Sequence, residues 1–321
     1  MTFEIAKKEI RDVFRNKLFL IILMMLLILT IVSIVLGSYQ VKISLDNYNN
    51  SISFLKSLGK TELPPMPNLN PISASKGFVN YIGIVGALLA IVLGNTAISK
   101  EHKNGTLRLI LTRGVFRDTF MNGKLLGNLT VLAGITLLTE IITFVSLFTI
   151  SGVSLTTNEI VRLLLFFIIS FLYMAFFMVL SMVIAILSSK GSRALLITVI
   201  VWLILSFVFP QIGDTMDMDN QLPGGFFSSM GMTRAQETQV LRQFKFYETL
   251  RNGIEEISPT KHYERMSFAL LNVKPGFETN TPWEVVGMKW VDLLGLIAPI
   301  VGLWLLSYIA FLKRENIYQT N

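Results

Sequence analysis

Few residues in this 321-residue chain are of a type that does chemistry, and they are dispersed. There are two histidines, His102 and His262, and no cysteine, which excludes disulfides, thiolate zinc sites and thiol nucleophiles. The histidines fall on opposite sides of the membrane that the hydropathy implies, so they do not form an acid–base pair. No GxxxxGK[ST] phosphate loop, HExxH zinc motif or GxSxG nucleophile elbow occurs, so the chain has no recognisable means of binding ATP or of hydrolysis by itself. Asp214, Asp217 and Asp219 alternate with Met216 and Met218, which are donors for a hard or a soft cation respectively. Their spacing matches no EF-hand, a solvated acidic turn accounts for them better than a cation site, and no metal ligand is assigned. Glu140 differs, because it sits among Thr136, Thr139 and Thr143 inside an apolar run, where an ionisable group is costly. A transport-pathway role and an interhelical hydrogen bond both fit it. Asp292, at the end of another apolar run, is placed to snorkel. Phe166, Phe167, Phe171, Phe176 and Phe177 read as ordinary lipid-facing aromatics.

The densest polar stretch is Ser99 to Lys124, an island between two apolar runs. Lys100, Lys103, Arg108, Arg113, Arg117 and Lys124 face only Glu101 and Asp118, and such an excess of basic charge in a short loop marks the cytoplasmic side. Leu107, Leu111 and Val115 recur at i, i+4 and i+8 while Arg108 and Arg117 point elsewhere. That is the pattern of a short amphipathic helix opened by a Gly105-Thr106 cap.

Glu101, then Gly105-Thr106-Leu107, then a basic and apolar helix, then Gly123-Lys124 ahead of an apolar span: this order resembles the ABC-2 type (type V) ABC transporter permeases. Family members often carry a Pro-Val-Ser-Arg-like turn where this chain has Gly114-Val115-Phe116-Arg117. The resemblance implies a permease subunit, not itself an enzyme, which couples ATP hydrolysis by a separate cytoplasmic ATPase subunit to substrate movement, usually export. ATP and Mg would sit on that subunit, and no cofactor on this chain. It further implies coupling residues Glu101, Gly105, Thr106, Leu107, Arg108, Leu111, Val115 and Arg117, with Lys190 and Arg193 in a second short loop. A second permease copy, most simply a homodimer, is implied as well. Some members instead transmit force to an extracytoplasmic protein, so a membrane scaffold or force-transmitting subunit that moves no cargo is the alternative.

The elements that must position these residues follow from composition. At 52% hydrophobic, 15% charged and a mean hydropathy of +0.59, the chain is too apolar for a soluble domain of this length. The expected class is all-α integral membrane, with about six transmembrane helices, an N-terminal interfacial helix and small helical extracytoplasmic segments. The net charge of +7 concentrates in short loops, so it reads as an orientation signal and not as a nucleic-acid surface. Membrane lipids are the expected surroundings, in the cell (plasma or inner) membrane with both termini cytoplasmic.

The expected division is an interfacial helix over 1–17, a first span over 18–37, an extracytoplasmic segment over 38–76 and a second span over 77–98. The coupling loop covers 99–124, three spans fill 125–210, a second extracytoplasmic segment covers 211–286, a sixth span 287–312 and a cytoplasmic tail 313–321. The fifth span is expected to stop before Pro210. The run from Leu18 is too long for a cleaved signal and reads as an anchor. Ahead of it, Phe3, Ala6, Ile10, Val13 and Phe14 share one helical face, opposite Lys7, Lys8, Arg11 and Arg15. Outside, Leu45, Tyr48, Ile52, Leu55 and Leu58 suggest a separate helix, and Leu63 to Pro67 an extended stretch. Val240, Leu241, Phe244, Tyr247, Leu250 and Ile254 suggest another helix, opened by a Thr233/Gln236 capping box. Ser258-Pro259 opens a further one, with Tyr263, Met266 and Leu270 as its buried face. Pro64 and Tyr263 are expected in the extracytoplasmic space.

Overall fold

A computed structural model describes residues 1–60, 70–104, 117–188, 190–219, 225–273 and 276–318. The protein is 87% helical with no strand among the described residues, and six helical stretches are long and apolar enough to cross a membrane. It is an all-α integral membrane protein. The short helix α1 (Thr2–Val13) precedes α2 (Lys17–Ser57), whose first turn is capped by the Asn16 side chain accepting from the Leu18 and Phe19 amides. A second span is built from α3 (Lys76–Tyr81), a π-turn over Ile82–Gly86 and α4 (Ala87–Asn104). Next come α5 (Arg117–Ile150) and α6 (Thr157–Leu187). The fifth span joins α7 (Gly191–Leu203) through a π-turn over Ile204–Val208 to α8 (Phe209–Met216). Then follow α9 (Phe226–Ser229), α10 (Arg234–Gln243), α11 (Lys245–Glu256), α12 (Pro259–Leu270), α13 (Pro282–Met288) and the sixth span, α14 (Trp290–Tyr318). The end of the bundle bearing α1 is called here the near end, and the opposite one the far end.

The second and fourth spans form the centre, and the first, fifth and sixth turn most of their surface outward. Phe78 packs on Phe166 and Phe167, and Phe176 meets Phe177 edge to face, all with little or no exposure. These phenylalanines therefore form the core and do not face lipid: α4 approaches α6 so closely at Gly94 that a Cβ there would lie 2.1 Å from the Met178 carbonyl oxygen. Small residues let membrane helices meet at backbone distance, and the large rings then fill the flanks.

Three expected boundaries differ from the structure. The first span and the helix expected over Leu45 to Leu58 are one 41-residue helix, about 60 Å long against a hydrocarbon core of about 30 Å. No Gly or Pro between Gly37 and Gly59 breaks it. The fifth span continues past Pro210 to Met216, because the widened π-turn at Ile204–Val208 lies where proline removes a donor and crowds the preceding turn. The helix expected from Val240 to Ile254 breaks at Phe244, which ends α10 and begins α11.

The far-end segment is no detached cap. Its Thr233/Gln236 capping box is present, and so is the Ser258 cap with Pro259 in the first turn of α12. However, α12 inserts into the bundle. Ser258 Oγ donates to the Leu205 carbonyl at 2.6 Å, and Thr260 Oγ1 to Ser206 at 2.8 Å. Leu205 is about 21 Å along the fifth span from Gly191 at 1.5 Å per residue, so α12 starts well below the far surface. Tyr263, expected in the extracytoplasmic space, is 1% exposed and stacks on Tyr173 at 4.5 Å. Tyr173 in turn donates to the Gly83 carbonyl at 2.8 Å. A cysteine at Tyr263 should therefore resist an impermeant thiol reagent that labels one at exposed Lys60 on the same end; equal labelling would remove α12 from the bundle.

Candidate functional site

At the near end, a knot of charge closes the bundle beneath the polar island. Lys124, in the early turns of α5, is 2% exposed. Its ammonium lies 2.9 Å from Glu9 of α1 and 3.3 Å from Glu101 of α4. Lys8 reaches Glu101 at 3.4 Å, and Lys100 reaches Asp12 at 2.9 Å. Both carboxylates facing Lys124 are nearly as buried as it is. The set Lys8, Glu9, Glu101 and Lys124 is electrically neutral, which is the condition under which charges tolerate burial. The Lys124 ammonium also sits 5.2 Å from the Phe120 ring centroid.

Backbone proximity makes this geometry possible. A Cβ at Gly123 would meet Ile5 at 2.7 Å, and one at Gly127 the Ala6 carbonyl at 2.9 Å, so two glycines one turn apart let α1 lie flat on α5. The face of α1 that packs there is Ala6, Glu9 and Val13, while Phe3 and Phe14 of the expected apolar face stay exposed. A buried Glu in the middle of that face is what periodicity missed; Lys124, read as the closing residue of the island, was its available partner.

Of the candidate coupling residues, the structure brings Glu101 into this knot. It places Lys190 on a cleft of about 720 Å³ beside it, together with Glu9, Asp12, Arg15, Ser99 and Lys100. Arg193 is exposed in the first turn of α7. Arg117 opens α5. Gly105, Thr106, Leu107, Arg108, Leu111 and Val115 lie outside the described residues, as do Pro64 and the extended Leu63 to Pro67 stretch. The described chain enters that loop at Asn104, at the end of α4, and leaves it at Arg117, at the start of α5.

Glu140 is half-buried in the middle of α5, and its Oε1 is buried with no hydrogen-bond partner among the described residues. The hydroxyls of Thr136, Thr139 and Thr143 all donate to carbonyls of their own helix, so none satisfies it.

The profile of the family described as ABC-2 family transporter protein matches residues 3–316, nearly the whole chain. The chain belongs to the ABC-2 transporter family. It is thus a membrane-embedded ABC permease, of a family whose permeases work with an ATPase subunit. No curated protein matches it.

Two far-end clusters of this permease were not legible as sites. Arg162 of α6 is 2% exposed and donates to the carbonyls of Ala269 and Leu270 at 3.3 Å, Phe277 at 2.6 Å and Asn280 at 2.7 Å, and to Asn272 Oδ1. Asp292, expected to snorkel, is 5% exposed instead. His262 Nδ1 lies 2.9 Å from it, with Arg265 and Lys289 each at 3.6 Å. Two cations and an imidazole converge on one carboxylate, which is why it does not turn to solvent. His262 is correspondingly a buried residue, its Nε2 3.0 Å from the Glu256 carbonyl oxygen. The acidic turn is also structured: Asp214 pairs with Lys261 at 2.5 Å and Asp217 with Arg251 at 3.2 Å.

Proposed function

We propose that this protein is the permease subunit of an ABC exporter, taking its energy from a separate ATPase subunit that docks at the near end. The observation that carries this reading is the buried Glu9–Lys124–Glu101 knot, which ties α1 and both helices flanking the polar island into one unit. Force applied to the island would therefore move the second and third spans and α1 together. The near end is then cytoplasmic, as the basic residues of the island require, and ATP and Mg are bound by the partner. Alternating access proceeds through a dimer of permeases, with Glu140 turned toward the pathway. The alternative, force transmission to an extracytoplasmic partner, draws on the 41-residue α2, which outruns the membrane at the far end.

The decisive experiment is a substitution in the helix expected within the island. Burying an unpaired charge in a docking groove costs several kcal/mol, on the order of 3–5, so Leu111→Asp should abolish co-purification of the ATPase subunit and cargo movement while membrane insertion is retained. Arg108→Ala should weaken docking by about 1 kcal/mol or less if that residue stands at a solvated rim. Normal assembly and transport by Leu111→Asp would reduce the island to an orientation signal.

A further inference from the structure

At the far end, α8, α11 and α12 enclose a polar cleft of about 770 Å³, within the range of about 300–1,000 Å³ that small-ligand sites occupy. Its charged lining is Asp214, Asp217, Glu255 and Glu264 against Arg251, Lys261 and Arg265. Most of these groups pair with one another, but among the described residues Arg265 and Glu255 pair with none of them. Arg265 shares the single carboxylate of Asp292 with Lys289, so its guanidinium is under-neutralised. Two of its nitrogens, Nε and Nη2, are buried with no hydrogen-bond partner among the described residues, Nε lying 3.6 Å from Asp292, so a ligand in the cleft meets the remaining edge of the guanidinium. Glu255 has no cationic partner among the described residues, and its carboxyl group rests where Gly213 lacks a side chain, with Oε1 2.6 Å from where a Cβ would stand. An acid and a base each wanting a counter-charge, in one cleft, suit a ligand bearing both signs.

Depth decides which kind. Counting from Gly191 at 1.5 Å per residue, Asp214 to Asp217 lie about 35–39 Å along the fifth span, just beyond a hydrocarbon core of about 30 Å and level with the headgroups. On the same helix Val208, Gln211, Ile212 and Thr215 follow at i, i+3, i+4 and i+7. Gln211 and Thr215 line the cleft, while Val208 and Ile212 are 46% and 40% exposed and apolar. The cleft wall thus becomes a bare hydrocarbon surface at the depth where acyl chains begin. Across the cleft, α11 turns Arg251 and Glu255 inward and leaves Phe246, Leu250 and Ile257 exposed on its other face. A helix of that polarity is at home in a lipid interface.

We propose that this cleft binds the headgroup of a zwitterionic aminophospholipid, with the chains lying on the exposed face of α7 and α8. The phosphodiester sits against Arg265 and the ammonium donates to Glu255. Phosphatidylcholine offers the same charges without N–H donors, and phosphatidylglycerol adds a negative charge to a lining that already holds four carboxylates against three cations.

The test is native mass spectrometry of the delipidated full chain in detergent, titrated with phosphatidylethanolamine, phosphatidylcholine and phosphatidylglycerol of identical chains. Phosphatidylethanolamine should bind about tenfold tighter than phosphatidylglycerol, and Glu255→Gln should bring it down to the level of phosphatidylcholine. Thr215→Trp, which fills the cleft from its exposed wall, should weaken binding about tenfold with an unchanged unfolding midpoint. If that variant unfolds, Glu255→Gln alone decides. Equal or tighter binding of phosphatidylglycerol overturns the proposal, as does an unaltered preference in Glu255→Gln. Competition by soluble glycerophosphoethanolamine as effective as that of the lipid would also overturn it, because the site would then read a headgroup without chains. No nucleotide or ATPase is present in this experiment, so its failure leaves the coupling reading standing.

Discussion

Lys124→Met is expected to destabilise the permease by about 3–5 kcal/mol, because it leaves two buried carboxylates facing each other without their cation. Glu9 and Glu101 would each retain a negative charge while buried, and the Lys8 ammonium at 3.4 Å from Glu101 belongs to a side chain more than half exposed. The unfolding midpoint in detergent should fall accordingly, and co-purification of the ATPase subunit should fall with it. The informative control removes the whole knot. In the triple variant Lys124→Met, Glu9→Gln, Glu101→Gln no charge is stranded, and replacing a buried ion cluster outright is often close to neutral. Its stability should recover most of the loss. Should Lys124→Met unfold within about 1 kcal/mol of the wild type, the range of a surface ion pair, then α1 is held by packing on Gly123 and Gly127 and the charges are incidental.

How much of this was readable beforehand divides by the range of the forces involved. The six spans, the Thr233 and Ser258 caps and the buried face of Tyr263, Met266 and Leu270 are local signals, set by runs of hydropathy and by residues three or four apart. The family followed from one 25-residue stretch read in order. By contrast, Glu9 and Lys124 are 115 residues apart, and His262 and Asp292 are 30 apart. Each of these residues, taken alone, looks like a solvated or snorkelling charge, and only tertiary contact makes it a buried partner. The same limit explains α12. Its amphipathic pattern announces a buried face, but nothing in the pattern says that the surface burying it is the interior of the bundle. Hydropathy also gave no reason to keep the phenylalanines of α6 from lipid, since lipid and core are equally apolar; the close approach at Gly94 supplies that reason.

Arg162 is the second position at which one substitution should have a large effect. Its guanidinium holds four carbonyls and one side-chain amide drawn from residues 269 to 280, the stretch that carries the chain from α12 toward α13. The Ala269 and Phe277 carbonyls also accept a backbone N–H, from Asn272 and Asn280, but Arg162→Leu takes the arginine donor from the Leu270 and Asn280 carbonyls and Asn272 Oδ1 at about 1–3 kcal/mol each where they stay buried. The segment should instead open, and amide hydrogen exchange over 269–280 should rise by orders of magnitude while α6 itself stays protected. Arg162→Lys tests whether charge or shape matters. An ammonium has three donors and no planar fork, so it cannot span acceptors on both sides of the loop, and most of the loss should persist. Asn70→Ala is the graded comparison. Its amide donates to the Leu271 and Asn272 carbonyls at 3.1 and 3.2 Å, so it holds the same loop from the segment just ahead of the second span with two bonds instead of five. Its cost should stay near 1–2 kcal/mol. Protection of 269–280 that survives Arg162→Leu would mean that Tyr263 on Tyr173 and the Asp292 cluster suffice to seat α12, and that the arginine only trims the loop above it.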